Sequence, residues 1–449
     1  MSYLQQLTPE ATFNFPQKFL WGSATSAYQN EGSNHNTNWS EWENNPGKII
    51  NGEKSGSACD WWSGKWKDDF NRAESTYQNA HRFSIEWSRV QPAENRWDES
   101  AIDYYRQMVL GLIDRGITPL ITLHHFTDPI WLSEIGGWEN PKVVVYFGKY
   151  VEKIMINLQE HCNFWITINE PNVLVTMGYI EGLFPPGKKD LETAFLVMEN
   201  LIKGHSRAYE IIHQLQKNAQ VGIATNFRLF SPSKNWNPLD VLTAKIISQN
   251  FNSSFNHAIS TGYLHFAFKN QKIPEAKNSQ DFIGINYYSS DLIKFNLLRY
   301  KNLFFETSFP INSEVSENKF IANVPSGISA AISWARKFSK PIYITENGIE
   351  DSQDLLRPGY IIEHLRKVWK ATNYLIPIKG YFYWTLVDNF EWERGWTQRF
   401  GLWGLDNNTQ KRFRRKSADL YSDICRTNSV SSDLIQKYAP QIFDRIFPG

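Results

Sequence analysis

The stretch "PIYITENG", residues 341–348, runs an apolar, β-branched segment directly into a carboxylate, Glu346. A segment of this length between Pro341 and the Asn347-Gly348 pair is typical of a buried strand that ends in a turn. A charged group at the end of such a strand is costly to remove from water, so its position needs a reason. A surface turn would be one reason, because Asn-Gly is common in turns. An active site at the end of the strand would be another.

A second stretch has the same form. In "FWITINEP", residues 164–171, an apolar run again leads through a threonine to a glutamate, Glu170. The two glutamates lie far apart along the chain, so only a closed fold can bring them together. The rest of the sequence has to supply that fold.

Apolar, strand-like runs recur along the chain, each followed by a polar residue, a loop and a helical segment. Alternation of this kind predicts an α/β fold, a single (β/α)8 TIM barrel with its active site at the carboxyl ends of the strands. We expect one catalytic domain over residues 1–449. The strand-like runs are 19–25, 81–87, 118–125, 164–170, 221–227, 281–288, 341–346 and 378–388, and clear helical segments are 101–115, 141–160, 191–217 and 359–372.

The runs end on side chains that could act together. Two carboxylates, a guanidinium, histidines, amides and aromatic rings are a combination that random surface loops would not supply at matching places. The residues are Gln29 after the first run, Arg82 within the second, His124 and His125 in the third, Asn169 and Glu170 in the fourth, Asn286, Tyr287 and Tyr288 in the sixth, Glu346 in the seventh and Trp384 in the eighth.

A carboxyl pair suits the hydrolysis of a glycosidic bond. One carboxyl group donates a proton to the leaving oxygen, and the other attacks carbon or activates water. Strands four and seven of a barrel lie across from one another and could place Glu170 and Glu346 on either side of a sugar. Arg82 could be a structural ion-pair partner, or it could keep one carboxylate ionised, and both interpretations can hold together.

Bulk properties narrow the class of protein. The 449 residues include 47 basic and 46 acidic side chains, so the net charge of +1 gives no reason to expect nucleic acid or an anionic membrane as partner. No apolar stretch reaches the ~18–20 residues that cross a bilayer. The first 20 residues do not read as a secretory signal, and three scattered cysteines without CxxC spacing favour neither disulfides nor zinc. A cytoplasmic location is therefore expected.

Aromatic residues make up 15% of the chain, including 18 Trp and 20 Tyr. Trp and Tyr combine an apolar face with a hydrogen-bonding edge, which suits stacking on sugar rings. A large core with aromatic packing would require the same composition. Composition alone leaves both interpretations open.

Six motifs in order resemble those of glycoside hydrolase family 1. They are "FLWGSATSAYQNEG", "HRFSIEWSRVQP", "TINEP", "GINYY", "YITENG" and "GYFYWTLVDNFEW", which together span nearly the whole chain. The resemblance implies a (β/α)8 barrel that removes β-glycosyl residues from the non-reducing end with retention of configuration. It implies small-molecule β-glycosides or short oligosaccharides as substrates and requires neither a metal nor an organic cofactor.

The resemblance also implies a role for each matching residue. Glu170 would be the acid/base and Glu346 the nucleophile, with Arg82 and Tyr288 supporting the nucleophile. The substrate-binding residues would be Gln29, His125, Asn169, Trp384, Glu391, Trp392 and Phe400. Trp384 could instead belong to the core. For His124 we expect a packing role, because neighbouring residues on a strand point to opposite faces.

Some features separate this chain from branches of the family. Glu391 would repel a sugar 6-phosphate, which separates this chain from relatives that act on phosphorylated sugars. The thioglycoside branch lacks the acid/base glutamate, which is present here as Glu170. Phe126 stands where the family usually has a Trp whose indole N–H reaches the sugar, which leaves sugar preference open. Phe320 could partly replace a Trp that often forms the leaving-group platform.

The hypothesis is therefore a retaining exo-β-glycosidase, β-glucosidase-like, that works by double displacement. A retaining mechanism predicts a carboxyl separation of about 5–5.5 Å. The competing hypotheses are a non-hydrolytic carbohydrate-binding or sensing protein and a transglycosidase that uses the same residues. The sequence does not distinguish glucosyl from galactosyl, fucosyl or mannosyl substrates.

Overall fold

The chain closes into a barrel of eight parallel strands, which confirms the predicted fold. The computed structural model describes residues 11–447. Each barrel strand pairs with the next along the chain, and the eighth pairs with the first, so this sheet has no open edge. The strands are β1 (Leu20–Ala24), β2 (Ala80–Ser84), β3 (Thr118–His124), β4 (Phe164–Asn169), β5 (Gln220–Asn226), β6 (Phe282–Asn286), β7 (Ile342–Asn347) and β8 (Ile378–Trp384). That one catalytic domain covers 1–449 stays a prediction, since residues 1–10 and 448–449 lie outside the described part.

A helical segment follows each barrel strand and covers the outside of the barrel. In order these are Trp66–Ser75, Glu99–Ile113, Val143–Leu158, Leu191–Leu215, Pro238–Ser248 with Ser254–Thr261, Pro325–Ala335, Arg357–Asn373 and Lys416–Thr427. Shorter helices are Ala27–Glu31, Asn38–Trp42, Trp87–Val90, Ile130–Glu134, Pro171–Val175, Ser432–Tyr438 and Phe443–Ile446.

Helix Glu99–Ile113 shows why these segments are helical. The side chain of Asp98 accepts a hydrogen bond from the backbone N–H of Ala101 at 3.1 Å and so caps the first turn. Buried residues then recur at spacings of three and four, among them Ile102 and Tyr105. This spacing gives the helix one apolar face, which packs against the barrel.

Short strands outside the barrel form additional small sheets. Thr12–Asn14 pairs with Ser429–Ser431, so the two ends of the described chain meet. A three-stranded sheet stands on the loops after β5 and β6. Its strands are Leu229–Pro232, Ser290–Phe295 and Phe305–Ser308. The remaining pairs are Glu314–Val315 with Ala322–Asn323, Trp403–Leu405 with Arg412–Arg414, and Tyr263–Phe266 with Lys269–Lys272.

The strand register sets the carboxyl ends of neighbouring strands side by side. Asn286 at the end of β6 is the pairing partner of Asn226 in β5 and of Glu346 in β7. Arg82 of β2 pairs with Ala24 at the end of β1. Polar side chains from separate parts of the sequence therefore gather at one end of the barrel, where this fold places its active sites.

Most of the large aromatic side chains lie in the core. The tryptophans that are essentially inaccessible to solvent are Trp21, Trp39, Trp61, Trp87, Trp138 and Trp165. The aromatic-rich composition is thus explained largely by packing, and only a few aromatic rings remain for a binding site. Among the described residues, no helix has both the length and the apolar character needed to cross a membrane.

A buried ion pair fastens the loop after β8 to the last barrel helix. Arg415 donates from both terminal nitrogens to the two carboxylate oxygens of Asp388, each at 2.8 Å. Asp388 also accepts from the backbone N–H groups of Gly401 and Leu405. Both charged side chains are almost fully buried. Because the carboxylate has no access to water, its negative charge is stabilised by these partners.

We expect Arg415→Ala to lower the free energy of unfolding by about 3–5 kcal/mol, because it leaves Asp388 buried without its main cation. The neighbouring Arg414 forms an exposed ion pair with Asp419 and provides a matched control. Arg414→Ala should cost less than about 1 kcal/mol. Urea unfolding of both variants measures the difference, and equal losses would show that the buried pair contributes no more than the exposed one.

Candidate active site

The sequence-predicted site residues meet at the carboxyl end of the barrel. Asn169 and Trp384 are the last residues of β4 and β8, Glu346 is the next-to-last residue of β7, and Arg82 lies inside β2. The others lie just beyond the strands that precede them. They are Gln29 on the helix after β1, His125 after β3, Glu170 after β4, Tyr288 after β6, and Glu391, Trp392 and Phe400 after β8.

Glu346 is a buried carboxyl group with two strong partners. Arg82 donates to Oε1 at 2.6 Å, and the hydroxyl of Tyr288 donates to Oε2 at 2.5 Å. The guanidinium is fully buried, so little water screens the ion pair. Each carboxylate oxygen is thereby held in a fixed direction.

Arg82 reaches well beyond Glu346. Its second terminal nitrogen donates to Oδ1 of Asn169 at 2.6 Å, and its Nε donates to the hydroxyl of Thr122 on β3 at 3.0 Å. The same Asn169 oxygen accepts from the amide of Asn286 at 3.1 Å. With its oxygen occupied by these donors, Asn169 directs its amide N–H₂ toward Nε2 of His125, 3.0 Å away.

Glu170 has a different set of partners. Its Oε1 accepts from the side-chain amides of Asn226 and Asn286 at 2.9 and 2.8 Å. The backbone of Glu170 takes the left-handed conformation, with φ of 43°, at the first turn of helix Pro171–Val175. A non-glycine residue in this region carries local strain, and such positions concentrate at functional sites. No cation contacts Glu170 directly among the described residues.

These surroundings act on the protonation of the two carboxyl groups. Burial and the nearby charge of Glu346 raise the pKa of Glu170 to about 8, against the opposing effect of the two amides. Burial also raises the pKa of Glu346, but there the charge of Arg82 is the largest opposing effect. The pair thus favours a proton on Glu170 and the anionic form on Glu346.

Aromatic rings form one wall of the site. His125 lies between Trp384 and Trp392, with near-parallel rings and centroids 6.1 and 6.0 Å away. Burial, together with the charges of Arg82 and His124, lowers the pKa of His125 well below its usual value, so the ring is neutral. Since Nε2 accepts from Asn169, Nδ1 carries the hydrogen, and among the described residues no group accepts it.

Gln29 and Glu391 form a hydrogen-bonded pair beside Trp392 in the chain. The Gln29 amide donates to the backbone carbonyl of Phe390 at 2.8 Å and to Oε2 of Glu391 at 3.1 Å. Burial and the nearby carboxyl group of Glu393 raise the pKa of Glu391 well above its usual value. Phe400 packs edge-on against Tyr288 at 6.1 Å. Nine of the eleven predicted site residues therefore belong to one connected network of contacts, and the pair of Gln29 and Glu391 joins it through Trp392, the chain neighbour of Glu391.

His124 and Phe126, the chain neighbours of His125, have packing contacts. His124 turns away from His125 and contacts Asp128 through Nε2 at 2.9 Å, in the packing position expected for it. Phe126 is buried against Phe184 and Trp392. Its ring offers no hydrogen-bond donor at that point of the wall.

Sequence reasoning missed Asn226 and Thr122. Asn226 is the last residue of β5. The rule that polar residues at the ends of barrel strands form the site could therefore have identified Asn226, as it identified Glu170 after β4. Thr122 carries no such signal, because a threonine inside an apolar run looks like an ordinary strand residue. Its role becomes visible only once Arg82 is placed beside it.

Comparisons with known proteins agree with this geometry. The sequence model of glycosyl hydrolase family 1 matches residues 11–430. The chain belongs to glycosyl hydrolase family 1. β-Glucosidase A of Thermotoga maritima is 33% identical over 93% of this chain and 98% of its own length.

Solved structures of family members superpose closely. A β-glycosidase from Pyrococcus horikoshii is 37% identical, has a TM-score of 0.89, and covers 95% of this chain and 98% of its own. A β-glucosidase from T. maritima in complex with castanospermine is 31% identical, with a TM-score of 0.86 over 92% of this chain and 99% of its own. The predicted family and the class of O-glycosyl hydrolase are confirmed.

The raised pKa of Glu170 predicts a pH-dependent stability. Glu170 binds its proton more tightly in the folded chain, with a pKa of about 8, than at its ordinary value of 4.5. Its stabilising contribution is therefore complete below pH 4.5 and is lost as the pH rises through 8. We expect the Tm of Glu170→Gln, relative to the unsubstituted protein, to rise between pH 4.5 and 8 and to level off above pH 8 in calorimetry.

The exposed Glu152 provides the control for this measurement. Glu152→Gln should not reproduce the trend. A Tm difference for Glu170→Gln that stays constant with pH would contradict the raised pKa.

Proposed function

We propose that the protein is a retaining exo-β-glycosidase that removes terminal non-reducing β-D-glycosyl residues, with glucosides as preferred substrates. One observation carries the proposal. The site holds two buried carboxyl groups, of which Glu346 has a cationic partner and Glu170 has only amides. Glycoside hydrolysis with retention needs such an unequal pair.

In the first step Glu346 attacks the anomeric carbon of the substrate. Arg82 favours its ionised form, and Tyr288 holds its second oxygen so that the carboxylate is oriented before substrate arrives. Glu170, protonated below pH 8, donates its proton to the departing glycosidic oxygen. The products are an ester between the sugar and Glu346 and a free alcohol.

In the second step water replaces Glu346 on the sugar. Formation of the ester removes the negative charge of Glu346, and with it one cause of the raised pKa of Glu170. The pKa of Glu170 therefore falls after the first step, and its carboxylate can accept a proton from the attacking water. The same charge coupling thus turns an acid into a base at the right moment.

The sugar itself would be held by the remaining members of the network. Asn169 lies beside the nucleophile and supports binding of the 2-hydroxyl group. The free N–H of His125 can donate to a neighbouring hydroxyl, and Gln29 with Glu391 can exchange hydrogen bonds with those farther along the ring. The indole rings of Trp384 and Trp392, each near-parallel to the His125 ring, provide apolar surface, with Phe400 near C6.

The substrate class and setting are proposed on similar grounds. The relative from T. maritima is named β-glucosidase A, which supports a glucosyl preference. Each step above uses only side chains of this chain, and the proposal needs no metal or cofactor. Three buried free cysteines, Cys59, Cys162 and Cys425, support a cytoplasmic setting. No nucleic-acid partner is expected.

The assignment of the two glutamates predicts distinct outcomes with nitrophenyl β-glycosides. Glu346→Ala should lower kcat by at least about a thousandfold on every sugar tested, because it removes the nucleophile. Added azide should restore turnover and give the α-glycosyl azide. Glu170→Ala, with a loss of about 10²–10⁴-fold, should instead give the β-glycosyl azide.

Product stereochemistry completes this test. NMR of the unsubstituted protein should show the β-anomer released first, as expected for a carboxyl separation of about 5–5.5 Å. Initial release of the α-anomer would rule out retention. A folded protein that turns over no glycoside in the panel would favour a binding protein instead.

The pH dependence of kcat/KM should be bell-shaped. Activity falls above pH 8, where Glu170 loses the proton it must donate, and falls at low pH, where Glu346 becomes protonated. The Asn226 amide stabilises the Glu170 anion, so Asn226→Ala should move the alkaline limb to higher pH. The acid limb provides the internal control, and a shift of both limbs together would contradict the assignment.

A further inference from the structure

Glu350, four residues beyond Glu346, is fully buried, and its role is not explained by the chemistry above. Its Oε1 accepts from the backbone N–H of Phe320 at 3.4 Å, and among the described residues Oε2 has no hydrogen-bond partner. A buried carboxyl oxygen without a partner is costly, so such a group needs an explanation. Burial raises the pKa of Glu350 to about 7, against the nearby hydroxyl of Ser316.

The contact of Glu350 belongs to one short segment, residues 316–322, which we call the rim segment. Ser316 closes it, because its hydroxyl accepts from the backbone N–H groups of Phe320 and Ile321 at 3.2 and 2.9 Å. The hydroxyl of Ser289, next to Tyr288, accepts from the N–H of Ala322 at 3.0 Å. The rim segment is therefore attached directly beside a partner of the nucleophile.

Its other side is attached to the loop after β8. The Asn318 amide donates to the carbonyl oxygen of Thr397 at 2.9 Å. The ring of Phe320 lies 4.8 Å from the guanidinium of Arg394, which is paired with Glu393 at 3.1 Å. Arg394 is three residues beyond Glu391 of the binding site. Phe320 thus occupies a place between loops that both carry site residues.

We propose that Glu350 is a positioning residue that fixes the rim segment and so holds Phe320 and Arg394 as a platform for the leaving group of the substrate. The platform pairs an aromatic face with a guanidinium, which suits an aromatic or sugar ring that stacks on it. Glu350 itself does not touch the substrate. The inference rests on the proposed glycosidase activity and refines it.

The test compares two substrates that share a sugar and need no proton from Glu170. They are 2,4-dinitrophenyl β-D-glucoside, with a large leaving group, and β-D-glucosyl fluoride, with a very small one. Glu350→Ala should lower kcat/KM about tenfold for the dinitrophenyl glucoside and less than about twofold for the fluoride. General damage to the site would lower both equally, and that result would overturn the inference.

Further variants make the test specific. Phe320→Ala should show the same selective loss, and the double variant should be no worse than either single one, because Glu350 acts through Phe320. Additive losses would contradict this link. Glu317→Gln alters an exposed carboxylate of the same segment and is expected to leave both substrates unaffected.

A conservative variant and two negative outcomes complete the test. Glu350→Gln keeps the acceptor oxygen for Phe320 and should retain activity on both substrates. This variant also serves as the test if Glu350→Ala fails to fold. A loss of activity on both substrates alike in Glu350→Gln would then refute the positioning role. An unsubstituted protein that hydrolyses neither substrate would refute the glycosidase proposal and the inference with it. An active protein whose Glu350→Ala variant shows no substrate selectivity would refute the inference alone.

Discussion

A single guanidinium, that of Arg82, fixes the relative positions of four barrel strands at their catalytic end. It is removed from solvent, where an unpaired charge would be strongly destabilising. Each of its three nitrogens therefore donates a hydrogen bond. The acceptors are Thr122 on β3, Asn169 on β4, and Glu346 and the carbonyl of Thr345 on β7. Lysine could not replace it, because an ammonium group lacks the planar fork that reaches three strands at once.

The same interaction makes the two carboxyl groups chemically unequal. Glu346 lies against the cation, whereas Glu170 lies against Asn226 and Asn286, which carry no charge. These amide donors favour the Glu170 anion, but they are outweighed by burial and by the charge of Glu346. Proton affinity at Glu170 then follows the charge of Glu346, and the state of one glutamate controls the function of the other.

The eight barrel strands could be predicted because buried parallel strands read as continuous apolar runs. Closure of the barrel then placed Glu170, Arg82 and Glu346 together, since such strands carry function at their carboxyl ends. The order of contacts inside the site could not be predicted. That Arg82 bonds Asn169 as well as Glu346, for example, depends on strand register and side-chain direction, which the sequence pattern does not encode.

The site residues of the loop after β8 were recognised only by resemblance. Glu391 and Trp392 lie at the start of a single 3-10 turn, which is too short to give a periodic signal, and the short strand pairs at the barrel ends gave none either. Composition also left the many tryptophans unassigned between core and site. The structure places most of them in the core because the helices and loops that surround the barrel need large apolar side chains to fill the space between layers.

Strand-borne and loop-borne residues divide the work of the site. Arg82, Asn169 and Glu346 are held by the hydrogen-bonded sheet, whose geometry cannot change without opening the barrel. The rim of the site depends on a few side-chain contacts between loops, such as that of Asn318 with Thr397. Chemistry that requires fixed distances is therefore carried by the strands and by Glu170 directly after β4, and the choice of leaving group is free to vary on the loops.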